Sequence, residues 1–277
     1  MSFPHLRHQR ARGGVAASFA PGPGGARLSS LAQSAPLRLL LPDAEPDEWT
    51  TAALLNTGGG LAGGDEVTVS LALAPGARLT MATAAAEKVY RSLGPPTCVA
   101  NAIQMGPGAA LEWIPQEAIL FDGARLERRT EAALAADSRL LALETLVLGR
   151  AAHGEVLGAL CLRDAWRLRR GGALAWADTL RLDDAAPLDA ALGFGRAGAL
   201  ATLLLAAPDA AALLPALRER LPAGAVRAGA TCPAPGLLLA RLLGEAGAVR
   251  AAVAALLPWA RHALLDQPAR LPRLWTN

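Results

Sequence analysis

VTVSLAL (67–73), APGA (74–77) and ARLTMAT (77–83) decide how this chain reads. Val67, Val69, Leu71 and Leu73 fall at every second position, the spacing of a strand with one buried face. Pro75 and Gly76 then supply the fixed and the permissive backbone positions of a tight turn, and a second strand follows. The unit reads as a hairpin. It recurs at Gly76-Ala-Arg-Leu79, Gly108-Ala-Ala-Leu111, Asp137-Ser-Arg-Leu140 and Gly171-Gly-Ala-Leu174, with leucines 32, 29 and 34 residues apart. This spacing predicts a mainly β (α+β) chain, a stacked, helix-like body of repeated hairpins, although an evenly spaced antiparallel meander fits the same pattern.

The repeats place the β body at about 36–200 and leave an α/β portion at about 201–277. In the latter, ATLLLAA (201–207) and LLLARLLG (237–244) read as strands. Residues 209–221 read as a helix capped by Asp209, and 246–265 as a helix on a Val249, Val253, Leu256, Leu257 stripe. Pro215 and Pro258 are expected to kink or shorten these helices. Residues 1–30, with PGPGG at 21–25, read as a flexible arm before a single domain, 31–277.

Of 277 residues, 52% are hydrophobic, 4% aromatic and 18% charged, which excludes a disordered polyelectrolyte and makes Leu, Ala and Val the core. The net charge is only +3 and Lys88 is the one lysine, so binding to nucleic acid is not expected. No secretory or membrane-spanning stretch stands out, and Cys98, Cys161 and Cys232 are odd in number and far apart, so the expectation is a cytoplasmic chain without a membrane partner.

Several features could carry chemistry. In NTGGGLAGGD (56–65), Gly58, Gly60 and Gly63 match a dinucleotide fingerprint in letters. That fingerprint needs a following helix, whereas EVTVSLAL follows here as a strand. The run reads instead as a close backbone crossing, with Asp65 capping its turn or lining an opening. His5 and His8 could bind metal weakly or simply be solvated, and no closed zinc-type spacing or nucleophile elbow occurs. LEWIPQEAILFDGARL (111–126) reads as an amphipathic hairpin or a partner-facing edge at Pro115. Four residues beyond the repeat leucines stand Thr83, Pro115, Glu144 and Asp178. Strand parity turns Glu144 and Asp178 to the interior, where each pairs with an arginine such as Arg150 or Arg181, or lines a wet interior able to pass a divalent cation. Paired carboxylates on a β-solenoid would also suit a carbohydrate-active enzyme.

NTGGGLAGGD (56–65), AEKVYRS (86–92), EWIPQEAILFDGARL (112–126), ETLVLGRAAHGE (144–155) and the terminal LPRLW (271–275) together resemble, in order, the UreD/UreH family of urease accessory proteins. The resemblance covers about residues 30–277. It implies a non-enzymatic maturation factor that binds urease apoprotein, a UreF-type partner and, through it, a UreG-type GTPase. Nickel would be transient cargo in an internal passage, with no tightly bound cofactor. Among the family motifs, Gly58, Gly59, Gly60, Gly63 and Gly64 match the glycine run, closed by Asp65. Lys88, Tyr90 and Arg91 match a second motif, Glu117 and Asp122 a third, and Arg150 and Glu155 a fourth. Asp65, Glu144 and Asp178 are the candidate passage residues, Asp178 standing where the resemblance implies a glutamate in many relatives. The late helices and the LPRLWTN tail are expected to contact the UreF-type partner.

Overall fold

The computed structural model describes residues 10–43, 45–150 and 153–276, so His5 and His8 lie outside the described residues. The deciding stretch forms two strands that do not pair with each other. β5 (Glu66–Leu73) lies in one sheet and β6 (Arg78–Thr83) in a second sheet packed against it. The same step leads from β8 (Thr97–Met105) to β9 (Ala110–Ile114) and from β11 (Ala124–Leu134) to β12 (Arg139–Leu148). These three expected hairpin turns are therefore corners between sheets. β5, β8 and β11 then stack in parallel, as do β6, β9 and β12.

The corners bond to one another. The Gly76 amide donates to the Pro107 carbonyl at 2.9 Å, and the Arg139 amide to the Ala109 carbonyl at 2.9 Å. Gly76 and Gly108 take φ of 73° and 64°, which side-chain-bearing residues adopt at a cost. Leu79, Leu111 and Leu140 lie in register and fully buried, as the repeat requires.

The fourth unit differs. β13 (Leu160–Arg170) turns at Gly171 and Gly172, φ 55° and 86°, into β14 (Ala173–Leu182), antiparallel in the same sheet. Two successive positive φ angles are what a tight hairpin needs. Leu174 is consequently 52% exposed, not a buried partner of the other repeat leucines.

The expected N-terminal arm is also corrected. β1 (Arg12–Ala20) pairs in parallel with β5, and β2 (Arg27–Gln33) pairs with β1. Val15, Ala17 and Phe19 alternate into the core, a period hidden in the sequence by glycine and alanine. The first sheet thus runs β14-β13-β11-β8-β5-β1-β2. The second runs through β16 (Arg227–Ala234), β17 (Leu237–Gly244), β15 (Ala199–Ala206), β12, β9, β6, β4 (Thr51–Asn56) and β3 (Leu37–Leu40), with short β7 (Glu87–Val89) and β10 (Ala118–Leu120) beside β12. β9 lies between β6 and β12 with Glu112 and Trp113 buried, which overturns the partner-facing reading of that stretch.

A short α1 (Ala186–Asp189) precedes the two late helices, α2 (Leu214–Arg220) and α3 (Ala246–Leu265). Asp209 does not cap a helix but pairs with Arg139 at 2.8 Å, and Pro215 sits in the first turn of α2, where its missing N–H costs nothing. Glu245 caps α3 by accepting from the amides of Gly247 and Ala248, and α3 continues through Pro258. Its Val249, Val253, Leu256 and Leu257 are buried against the second sheet.

Between the sheets the apolar core is in two portions. One gathers Phe19, Leu71, Leu79, Leu111 and Leu140 towards the corners, and the other Leu120, Leu126, Leu162 and Leu182 towards the opposite end.

Candidate functional site

Between those two portions runs a polar seam. Strand register places Asn101, Thr130, Trp166 and Asp178 side by side across β8, β11, β13 and β14. On the facing sheet, Glu144, Thr202 and Arg241 form a second row across β12, β15 and β17. Two contacts bridge the rows: the Trp166 indole donates to Glu144 at 2.9 Å, and Arg241 pairs with Asp178. One strand position away, Arg128 reaches Asp164 through two bonds, one of 3.0 Å, and Glu144 at 2.9 Å. Glu144 and Asp178 thus do pair with arginines, but with Arg128 and Arg241 instead of Arg150 and Arg181.

The parity expectation holds for Glu144, whose side chain is 15% exposed. Asp178 sits at the open margin, 36% exposed. Asp65 lies elsewhere. Its carboxylate accepts from the Ala11 amide at 2.8 Å and the Ala62 amide at 2.7 Å, closing the glycine loop. Among the described residues, no hydrogen bond or ion pair joins any two of these three carboxylates.

Because Arg128 is already bound twice by Asp164, Glu144 is the surplus acid. Burial pushes its carboxyl from 4.5 up to about 8, against the attraction of Arg128 and with Asp164 reinforcing the rise. A folded state that holds an extra proton loses stability as pH rises through the interval between the two values. Wild-type protein should therefore lose stability from about pH 5 to 8 relative to Glu144→Gln, which mimics the neutral acid. Thermal melts of both proteins across that range check this, and parallel profiles would refute it.

At the end of the body opposite the corners, the sequence motifs converge. The Tyr90 hydroxyl donates to the Gly59 carbonyl at 2.8 Å, and its ring meets Phe121 edge-on at 5.1 Å. Arg150 stacks 4.2 Å over Phe121 while gripping Glu155 at 2.7 Å. Arg91 pairs with Asp122, whose other oxygen accepts from the amides of Gly158 and Ala159 at 2.8 and 3.0 Å. Those backbone amides hold the Asp122 carboxyl below its usual range, and Arg150 does the same for Glu155. Glu117 stands apart, tied to Arg250 on α3, and Lys88 is exposed.

The sequence pattern of a family described as UreD urease accessory protein matches residues 11–276. The chain belongs to the UreD family. A "Urease accessory protein UreD" of Granulibacter bethesdensis is 52% identical over 241 residues, 86% of this chain and 100% of that protein. Proteins of the same name from Magnetococcus marinus and Methylobacterium sp. strain 4-46 are 43% and 45% identical, over 96% and 97% of this chain and 94% and 96% of their own lengths.

Four of the five stretches that pointed to the UreD family are woven into the motif end. The glycine run is the clearest case. Gly60 has φ of 145°, and a Cβ there would lie 2.5 Å from the Tyr90 ring; one on Gly63 would lie 2.0 Å from Ser92 Oγ. These are close-approach glycines, as the strand following them implied. Gly60→Ala should cost about 1–3 kcal/mol, measurable by urea denaturation. Gly59→Ala, with positive φ but nothing within 4 Å, should cost less; equal losses would count against the crossing as the cause.

Sequence reasoning missed Arg128, Asp164, Trp166 and Arg241. Their signal was available: a charged or hydrogen-bonding residue on the apolar parity of a long alternating strand, as in Leu126, Arg128, Thr130, Ala132.

Proposed function

We propose that this chain is a non-enzymatic scaffold in urease maturation, working in the cytoplasm. It would bind the urease apoprotein together with UreF-type and UreG-type partners and let nickel, as cargo, move along the seam between its sheets. Membership of the UreD family supports the role in urease maturation. The passage rests on one observation, the polar seam dividing an otherwise apolar core and reaching solvent at Asp178. Burying polar groups in a row costs free energy unless they are paired, and each pair found here is one that an arriving cation could compete with.

Carboxylate oxygens suit such traffic, because they replace part of a cation's hydration without the tight grip of clustered thiolates or imidazoles. Glu144 and Asp178 are the stations that this reading uses. Asp65, held by two amides, acts by shaping the glycine loop. The carbohydrate-enzyme alternative is disfavoured because the two carboxylates that come together, Glu144 and Asp164, share one guanidinium between the sheets instead of flanking an open groove.

The test is urease activation with Asp178→Asn and Glu144→Gln. Expected are normal recovery of the complex, reduced nickel in urease and reduced activity. Normal nickel and activity with both variants would overturn the passage. Absence of any complex with wild-type protein would overturn the scaffold.

A further inference from the structure

The two sheets are treated unequally. α2 and α3 pack on the second sheet, whereas among the described residues no element covers the outer face of the first. That face spans seven strands. Its floor is small: Gly14, Ala16, Thr68, Ser70, Ala100 and Ala165 all point outward. Above it stand eight arginines against three glutamates, an excess of five on a chain whose whole net charge is +3. The rest of the chain is accordingly slightly negative.

Only part of this charge is neutralised within the face or at its margin. Arg12 pairs with Glu66, Arg129 with Glu131, and Arg181 with Asp183. Arg163, Arg167 and Arg169, one column along β13, make no ion pair among the described residues, nor does Arg125 on the neighbouring strand. Beside that column lies an open groove of about 510 Å³, floored by Thr68, Ala100 and Ala165 and walled by Arg129, Arg163 and Arg167, with Glu66 and Glu127 also on its lining.

We propose that this face docks a protein partner that presents an acidic surface, with the β13 arginines as its anchors. The inference rests on the scaffold reading above and says which surface performs it. Charge complementarity selects the partner. Arginine forms paired bonds to carboxylates, and a low floor of small residues lets another surface come close enough to make them. The interspersed glutamates would repel a phosphate backbone, and the outward positions carry no Tyr, Trp or Phe on which bases could stack, so protein fits better than nucleic acid.

The test uses full-length protein with Arg163→Gln, Arg167→Gln and Arg169→Gln combined, and a second variant with the three changed to Glu. A control reverses Arg78 and Arg196, which lie off the face and off the late helices. Each is titrated separately against purified urease apoprotein and against the purified UreF-type partner, at low and high salt, after circular dichroism and melting show native folding. Expected is a loss of about tenfold or more towards one of the two for the Gln variant, larger for Glu, with the control unaffected and the wild-type contact weakened by salt. Retained binding to the other partner shows that the variant is intact. If wild type binds and both variants bind as it does, the docking face is wrong while the scaffold stands. If wild type binds neither, the scaffold fails first. Arginine-dependent binding of a short DNA duplex, with protein binding unchanged, would replace this inference with the nucleic-acid one.

Discussion

Arg261→Met should lower stability by about 3–5 kcal/mol, seen as a large drop in the urea midpoint and in soluble yield. Arg261 on α3 is fully buried, and so is Glu112 on β9 beneath it. Its guanidinium holds Glu112 through bonds of 2.8 and 3.2 Å, touches Glu48 at 3.5 Å and donates to the Arg270 carbonyl. Thr80 donates to the same Glu112 carboxylate, and Arg270 reaches Glu48 at 3.0 Å. Methionine fills most of the volume, so the loss is electrostatic: Glu112 is left charged and buried without a cation. Adding Glu112→Gln to Arg261→Met should recover part of the stability, because a neutral amide can still accept from Thr80. A single variant as stable as wild type, or a double variant that falls further, would contradict this account.

Trp275→Ala should cost a similar amount, about 3–5 kcal/mol. The LPRLW tail was expected to meet a partner, yet Trp275 is 4% exposed and packs with the α3 side of the core. Its indole donates to the Ile114 carbonyl at 3.0 Å, and Gln116 donates to the Leu274 carbonyl at 2.7 Å. Arg250 lies 5.6 Å above its ring while pairing with Glu117. The tail therefore closes over the exit of β9, and removing 266–277 should unfold that region as well as any contact it makes. Limited proteolysis and melting of the truncated protein decide the matter; parental stability would restore the tail to the role of a partner contact.

The body was legible because its repeat is written in residues that mean one thing. Pro75-Gly76 and Pro107-Gly108 can only turn, and the leucines after them can only be buried. What period two does not encode is the partner of a strand. A corner between sheets and a hairpin within one sheet have the same local chemistry, so all four units read as hairpins, and only GGAL (171–174) joins two strands of one sheet. The difference is long-range, set by whether the next strand meets its predecessor or the sheet opposite.

The site divides along the same line. Glu144 was reached by parity alone, since counting by twos from Leu140 stays within one strand. Asp178 was reached by the same count from Leu174, but the two do not share a face: Leu174 points outward, and the β-bulge at Ala175 shifts the parity so that Asp178 faces the seam. Arg128 escaped notice because a chain with many arginines offers no reason to single out one, and only the neighbouring register shows it between two acids.

The parallel stack also fixes a ruler. Neighbouring strands lie ~4.8 Å apart, so from Asn101 to Asp178 the seam advances three strands, ~14 Å. Its first two steps are whole coils of the chain, and the third is the antiparallel β13–β14 hairpin. Adding or deleting one coil would lengthen or shorten the route in a single fixed step and leave the Asp178–Arg241 pair at its open margin unchanged.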